Sequence, residues 1–397
     1  MKKVLLILIT APQFLIAQTT LIPDPKFEEK LIALGYDAPP VNGSVPTANI
    51  DDITDLDLSL SQITNLTGIE AFTSLTYLNC SSNSLTNLNV SSLTLLQELE
   101  CDGNALTALN VTANTSLHYL EAYSNQLTAI NLSQNPDLTY IGLDDNNLTT
   151  LDISLNTDII ELHCGGNPLG TLNLGQNVNL KILDVYQTNL SSINVSMLTG
   201  LEFLGLTGNN LTSIDLSQNA ALQELRISDN LLTSLSIATC PLLTKIKCQF
   251  NQLTTLDLRN GNNMNFVLLP DYGAANNPGL SCISVDDPAY SATNWGTAFH
   301  PTATYSANCL LNTNSNLMQA FTIYPNPSNG KVFINTPDLI NINQITVFDL
   351  NGRIIRQVKP TGISEQTELD LTGIGQGVYL ASIESEEGKL NAKIILK

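Results

Sequence analysis

The chain repeats itself every 21 residues, and this period limits the possible folds more than any other feature of the sequence. Two columns of aliphatic residues keep the step without interruption, one from Leu75 to Leu243 and one from Leu85 to Leu253. An asparagine column keeps it with a single skip, at Thr188. Its members are Asn83, Asn104, Asn125, Asn146, Asn167, Asn209, Asn230 and Asn251. Because the turns have equal length, the pattern predicts a stacked solenoid.

Elementary energetics explain why these residue types recur. Burying one aliphatic side chain contributes roughly 1.5–3 kcal/mol, whereas ordering the backbone costs on the order of 1–2 kcal/mol per residue. A single turn is therefore unstable, and only stacking on neighbouring turns offsets the cost. An asparagine amide both donates and accepts hydrogen bonds, so it can satisfy backbone groups that a sharp bend leaves inside. We interpret the asparagine column as scaffold.

The repeating unit is LxxLx[C/L/V/I]xxNxLTxL, which resembles the leucine-rich repeat family from Leu75 to about Asn263. A more divergent turn at residues 53–74 precedes it. The resemblance implies an α/β-type repeat solenoid, mostly β and irregular, in which one strand per turn lines a concave parallel sheet. We assign the array to residues 53–281.

The cysteines divide into two groups by position. Cys80, Cys101, Cys164 and Cys248 share a column with alanine, leucine, valine and isoleucine, so we expect buried thiols there. A bridge between Cys80 and Cys101 on adjacent strands is not excluded by distance. Cys240 also replaces an interior residue. Outside the array, Cys282 and Cys309 are predicted to form a disulfide that covers the end of the solenoid.

The two ends of the array read as caps. In residues 18–52, Asp24 precedes Pro25 and Gly35 follows, as at the start and end of a short helix, and Phe27, Leu31, Ile32 and Leu34 form its apolar face. Residues 282–309 form the C-terminal cap, and residues 310–320 read as a linker. Residues 1–17 have two lysines before an apolar run, which indicates a signal peptide, and no later run is long enough to span a membrane.

Charge separates two regions of the chain. Residues 18–320 carry 7 Lys and Arg and 28 Asp and Glu, a balance of 7 − 28 = −21, whereas residues 321–397 carry 7 − 8 = −1. Nucleic acid is excluded as a partner because a phosphate backbone binds clusters of Lys and Arg. The shift in charge places a domain boundary near the linker.

Residues 321–397 change to short alternating strands with Asn-Gly turns, which predict a small β-sandwich. This segment resembles the type A C-terminal sorting domain of the Bacteroidetes type IX secretion system. The resemblance implies binding to the secretion machinery, export, and release or attachment at the outer cell surface; the alternative is an immunoglobulin-like binding module. The matching motif residues are Tyr324, Pro325, Asn326, Pro327, Gly330, Asp349, Gly352 and Arg353.

Side chains alternate along each predicted strand, so residues on either side of the inward leucine face outward. These outward columns are acidic and aromatic at one end and basic at the other, and tyrosine suits protein or glycan partners. The alternative is a solvated face without a ligand. The candidate ligand-binding residues are Tyr77, Glu98, Glu100, Tyr119, Glu121, Tyr123, Tyr140, His163, Asp184, Tyr186, Phe203, Arg226, Lys245 and Lys247.

Catalytic chemistry has little support in the sequence. His163 and Asp184 share a column in adjacent turns, but a nucleophile within reach is missing. Asp144–Asp145 and Asp286–Asp287 offer carboxylates for calcium without the spaced ligands of a specific loop. We therefore expect no catalytic residues, no cofactor and no metal.

The sequence thus predicts a monomeric, secreted or surface-attached protein that recognises an extracellular protein or glycan through the concave sheet. A structural or adhesive matrix component without a specific ligand is the alternative, and a hydrolase is a third reading.

Overall fold

A computed structural model describes residues 18–267, 272–309, 322–335, 342–350, 352–360, 366–385 and 388–397. The expected signal peptide at residues 1–17 and the linker at residues 310–320 lie outside the described residues. The chain divides into two compact units, with the division between Ala307 and Asn308.

A small cap precedes the repeats. Strand β1 (Thr19–Leu21) pairs antiparallel with β2 (Ser44–Pro46), and helix α1 (Pro25–Leu34) lies between them in the chain. Asp24 accepts hydrogen bonds from the first backbone N–H groups of α1, and Gly35 ends the helix with a φ of +86°. The predicted start and end of the helix are therefore confirmed.

The buried face of α1 differs in part from the predicted one. Phe27 and Leu31 are fully buried, whereas Leu34 is 41 % exposed, so its placement on the apolar face was wrong. Glu28 is buried instead, and its carboxylate accepts hydrogen bonds from the backbone N–H groups of Asn42 and Gly43 at 2.6 and 2.7 Å. The loop that returns to β2 thereby supplies partners to a carboxylate that would otherwise be buried without any.

The repeats form a ten-stranded parallel sheet in which almost every strand pairs with the strand one coil away. Its order follows the chain except that β12 belongs to a second sheet. The ten strands are β3 (Asp55–Asp57), β4 (Tyr77–Asn79), β5 (Glu98–Glu100), β6 (Tyr119–Glu121), β7 (Tyr140–Gly142), β8 (Glu161–His163), β9 (Ile182–Asp184), β10 (Phe203–Gly205), β11 (Glu224–Arg226) and β13 (Lys245–Lys247). Strand β12 (Ser234–Ser236) lies between β11 and β13 in the chain.

The central residue of each of these strands is buried, and the register pairs equivalent residues of neighbouring coils. Leu78 pairs with Leu99, and Leu99 pairs with Leu120. The leucines at 85, 106 and 127 are fully buried as well. The predicted solenoid with an aliphatic interior and a parallel sheet is confirmed. Short 3₁₀ turns cover Thr47–Asn49, Ile69–Ala71 and Asn263–Asn265.

A second parallel sheet forms in the last coils, from the segments that follow the strands of the ten-stranded sheet. Strand β12 pairs with β14 (Thr255–Asp257), followed by β15 (Cys282–Ser284) and β16 (Thr304–Ser306). Helices α2 (Pro288–Asn294) and α3 (Gly296–Phe299) lie between β15 and β16 in the chain. Trp295 is buried with Phe299 and Tyr305 against its ring, so aromatic side chains close this end of the core.

The asparagine column hydrogen-bonds adjacent coils. Asn146 donates from Nδ2 to the carbonyl oxygens of Ala122 and Leu143 at 3.0 and 3.1 Å, and its Oδ1 accepts from the N–H of Leu127 at 2.9 Å. Thr188, at the skip, donates its hydroxyl to the carbonyl of Val185. Asn277 continues the column although it follows Asn251 by 26 residues (277 − 251), because a longer coil intervenes.

A second asparagine column lies on the return side and is less completely bonded. Asn156 donates to the carbonyl oxygens of Leu132 and Asn135 at 3.1 and 2.7 Å. Its buried Oδ1 has no hydrogen-bond partner among the described residues, and four other members share this feature. Leu93 and Leu198 occupy the same column and are fully buried. This column therefore accepts an apolar side chain.

The five cysteines inside the array are free and buried, as expected from their apolar columns. Burial raises the pKa of each thiol, that of Cys248 to about 12. Cys80 and Cys101 are not bridged. Cys282 and Cys309 are disulfide-bonded.

The C-terminal unit has two antiparallel sheets with one shared core. Val332, Ile334 and Leu369 of one sheet pack with Ile345 and Ala381 of the other. One sheet has the order β17-β18-β21 and the other β20-β19-β22-β23. The strands are β17 (Thr322–Tyr324), β18 (Lys331–Asn335), β19 (Ile342–Phe348), β20 (Ile354–Val358), β21 (Gln366–Asp370), β22 (Gly377–Ser385) and β23 (Gly388–Leu396).

The two asparagine columns predict different responses to the same substitution. Asn146→Leu removes hydrogen bonds at both ends of the amide and leaves buried backbone groups unpaired, so we expect a loss of about 3–5 kcal/mol in unfolding free energy. Asn156→Leu also removes an unpartnered oxygen, and we expect a loss of about 1 kcal/mol. Urea unfolding of both variants measures the difference. Equal losses would contradict the assignment of separate roles.

Candidate functional site

The candidate site is the concave face, which we define as the side chains that flank the buried central residues of β3–β11 and β13, together with the side chain two positions after each of these strands. Strands β4 to β6, for example, each have a buried centre between two partly exposed residues. The predicted inward position of Leu78 and Cys80 is confirmed, since both are fully buried. The face is a regular lattice, with one set of side chains per coil.

Three aromatic side chains form a stack in the middle of the face. The rings of Tyr119 and Tyr140 lie 4.3 Å apart and nearly parallel, and His163 approaches Tyr140 at 5.6 Å. Both tyrosine hydroxyls donate to Glu121, at 2.8 and 3.3 Å. Burial and the Glu121 charge raise the pKa of Tyr140 to about 12, so this hydroxyl remains a donor at physiological pH.

Tyrosine–carboxylate pairs continue on the neighbouring coils. Glu100 accepts from the hydroxyl of Tyr77 at 3.2 Å and from Nδ2 of Asn79 at 2.6 Å. A hydrogen bond to Asp102, together with burial, raises the pKa of Tyr123 to about 12. Most of the predicted tyrosines are therefore held by a carboxylate.

Glu98 and two histidines complete this part of the face. The carboxylate of Glu98 lies 3.4 Å from Nε2 of His118. His163 has Glu161 within 3.8 Å and also interacts electrostatically with Asp184. His163 therefore interacts with the predicted neighbour Asp184 and also with Glu161.

Glycines on the face let large side chains lie directly on the sheet. A Cβ atom at Gly165 would collide with the ring of Tyr186, and one at Gly205 would collide with the carboxylate of Asp184. The ring of Tyr186 therefore lies over the backbone at Gly165, just after β8, and the carboxylate of Asp184 lies against Gly205 of β10. The outward glycines have a packing role that their position in the repeat alone does not reveal.

The carboxylates beside Tyr186 titrate above their ordinary range. Burial raises the pKa of Asp144 to about 6, against the lowering effects of a hydrogen bond from the Gly165 N–H and of the His163 charge. Burial also raises the pKa of Asp184, against the influence of His163 and Arg226. These groups are partly desolvated, as expected in a recess rather than on an open surface.

The basic end of the face is neutralised in part. Glu224 lies between Arg226 at 2.7 Å and Lys245 at 3.2 Å, and it accepts a hydrogen bond from Tyr272. Burial would raise the pKa of Glu224, but the bonds from Tyr272 and Arg226 outweigh it and lower the pKa. Arg226 also lies 5.0 Å above the ring of Phe203. Lys247 lies on β13 with Lys245.

Sequence reasoning missed Glu224 and Tyr272 as partners of these cations. Glu224 belongs to an outward column of the repeat, so the sequence already indicates that it lies on the face. Its position between two cations, however, follows only from the pairing of neighbouring strands in the structure. Tyr272 follows the longer coil and has no equivalent in the period.

The described residues contain no group of three or more His, Cys, Asp or Glu side chains placed to hold a metal ion. Among them, no helix is both long and apolar enough to cross a membrane. The face offers fixed hydrogen-bonding groups, aromatic area and negative charge.

The stacked coils, the asparagine column and the one strand per coil define a solenoid of the leucine-rich repeat type. Residues 322–397 match the secretion system C-terminal sorting domain. The solenoid thus has the leucine-rich repeat fold, and the matched sorting domain implies secretion or attachment at the outer cell surface. No curated protein sequence matches the chain.

Two solved structures from Listeria monocytogenes are similar in fold. The functional domain of InlJ, which includes a cysteine ladder, is 23 % identical with a TM-score of 0.55, over 96 % of this chain and 99 % of that one. The internalin InlF is 19 % identical with a TM-score of 0.55, over 74 % of this chain and 98 % of that one.

The sorting-motif residues hold the C-terminal unit together. Asn326 donates to the carbonyl of Lys393 at 2.7 Å and accepts from the N–H of Ile395 at 2.9 Å, so the loop that contains Pro325 and Pro327 is joined to β23. Arg353 pairs with Asp349 at 2.9 Å across the turn that contains Gly352.

Two further motif residues pack against neighbouring elements. Tyr324 lies beside Phe333, with 6.0 Å between the ring centroids, and hydrogen-bonds to Gln366. Gly330 has a φ of +121° and lies close to Thr372, which leaves little room for a side chain. The described contacts give these motif residues a structural part in the unit.

The raised pKa of Asp144 predicts a specific pH dependence of stability. The unfolded state releases this proton near its ordinary pKa of 3.8, whereas the folded state holds it to about pH 6. Stability from this group is complete below pH 3.8 and falls as the pH rises through 6. Asp144→Asn, which keeps the acceptor oxygen, should therefore raise the thermal midpoint at pH 7.5 and leave it unchanged near pH 3.5.

Asp152→Asn is the matched control. Hydrogen bonds from Ser154 lower the pKa of this exposed carboxyl, so its substitution should not raise the midpoint at pH 7.5. The desolvation of Asp144 would be contradicted if both variants were stabilised equally at that pH.

Proposed function

We propose that the protein is an exported binding protein that recognises an extracellular protein or glycan through its concave face. The aromatic stack carries this proposal: Tyr119 and Tyr140 are fixed against each other and against Glu121 while remaining partly exposed. Rigid aromatic side chains with polar ends contribute contact area at little entropic cost.

The scaffold supports the same function in a second way. The interior columns are nearly invariant in chemistry, whereas the outward columns change from coil to coil. A solenoid needs only its interior residues for stability, so the outward residues are free to be selected for a partner. We propose no enzymatic activity, because the groups near His163 and Asp184 lack a placed nucleophile.

A structural or adhesive matrix role remains the second candidate. In that case the array would act by its length and its self-association, and individual residues of the concave face would matter little. The two candidates therefore differ in their response to substitutions of the aromatic stack.

The test is capture of extracellular proteins and glycans on an array by the exported protein. Replacing Tyr119 and Tyr140 together with alanine should weaken capture at least tenfold, because it removes the fixed contact area at the centre of the face. Tyr290→Ala, on α2, serves as the control and should have no effect. Unchanged capture by the double variant would exclude recognition through this face.

A further inference from the structure

The acidic half of the concave face, which we define as strands β3–β9 and the residues directly after them, lacks basic side chains. No Lys or Arg occurs between Lys30 and Lys181. The outward positions of these strands hold carboxylates on nearly every coil, and the histidines beside them are His163 in β8 and His118 directly before β6. The carboxylates are Asp55, Asp57, Glu98, Glu100, Asp102, Glu121, Asp144, Glu161 and Asp184.

Several cations elsewhere in the array are paired with a carboxylate. Lys181 lies 3.6 Å from Glu202, and Arg226 and Lys245 share Glu224. Along the same sheet, the basic end thus has cations that pair with carboxylates, whereas the acidic half has no Lys or Arg. The negative charge of the acidic half is therefore available to a partner that carries positive charge.

The titration of the acidic half agrees with this imbalance. Burial raises the pKa values of Glu100 and Asp102, and the charge of Glu121 adds to the effect at both groups. Asp144 and Asp184 are raised as well. A cation placed among these groups would lower their pKa values and stabilise the charged forms.

Tyr186 offers a place for such a cation. One side of its ring rests on Gly165, so its exposed surface faces away from the sheet. Asp144 is bonded to the N–H of the same glycine at 2.7 Å, and Asp144, Asp145 and Asp184 all act electrostatically on the Tyr186 hydroxyl. An aromatic ring beside carboxylates suits a guanidinium or ammonium group, which is attracted both to the ring and to the negative charge.

A neutral glycan fits the acidic half less well. Tyr140 lies between Tyr119 and His163, so its ring faces are largely occupied and cannot stack on a sugar. An uncharged ligand would also cover several carboxylates without compensating their charge, which is energetically costly.

We propose that the acidic half of the concave face binds a cationic polypeptide segment, with one Arg or Lys side chain placed over Tyr186 between Asp144 and Asp184. This inference rests on the proposed function and names the chemistry of the partner. Strands β5–β9 span about 19 Å at ~4.8 Å per strand, which corresponds to roughly six extended residues.

The probe is a fluorescent octapeptide of alternating Arg and Ser, titrated with the exported protein at low and at physiological salt. A Glu/Ser octapeptide and a neutral oligosaccharide are the comparison ligands. The Arg/Ser peptide should bind, its affinity should fall with salt, and the two comparison ligands should not bind.

Two triple variants with the same change in net charge separate a specific surface from general attraction. Glu100→Gln, Glu121→Gln and Asp144→Asn together should weaken peptide binding at least tenfold. Asp152→Asn, Asp158→Asn and Asp215→Asn, at exposed positions outside the sheet, should weaken it less than threefold. Tyr186→Leu should weaken it about fivefold, and circular dichroism should show all variants folded.

Equal weakening by the two triple variants would overturn the proposal, because the total charge of the protein would then explain binding. Binding of the Glu/Ser peptide or the oligosaccharide in place of the Arg/Ser peptide would overturn it too. If capture on the array depends on Tyr119 and Tyr140 but is unaffected by the concave triple variant, the general binding function stands and the cationic partner is excluded.

Discussion

The hydrogen bonds of one asparagine per coil determine the rest of this structure. Asn146 bonds backbone groups of its own coil and of the preceding one, and Asn125 and Asn167 repeat these bonds on either side. Buried backbone groups must be paired, and a coil that bends inward cannot pair all of them within a sheet. The ladder therefore fixes the register of neighbouring coils.

The functional surface follows from that fixed register. Because equivalent residues of neighbouring coils are directly opposed, Tyr119 meets Tyr140 face to face and Glu121 reaches both hydroxyls. A slip of the strand register by one residue would turn the outward side chains inward. Because the interior residues keep the coils in register, the outward residues can vary while their positions stay fixed. The carboxylates that surround Tyr186 are an example.

Periodicity was sufficient to predict the strands of the ten-stranded sheet, the buried cysteines and the outward columns, since all of them follow from one repeated register, but it did not predict the second sheet of β12 and β14–β16. It did not predict the buried position of Glu28 or the exposed position of Leu34, because packing of a lone helix depends on the loop that covers it. The bonds of Glu224 to Tyr272, and the continuation of the ladder at Asn277, follow a coil of different length and require coordinates. The contacts of aromatic rings with glycines likewise depend on the direction of the side chains, which the sequence pattern does not specify.

Native-state hydrogen exchange tests the ladder most directly. The amides of Leu106, Leu127 and Leu148 donate to buried asparagine oxygens, whereas the amide of Ser133 makes the same kind of bond to the exposed Asn131. The account predicts that the three leucine amides exchange only when coils separate, at least a thousandfold more slowly than Ser133. Exchange of the leucine amides at the rate of Ser133 would contradict it.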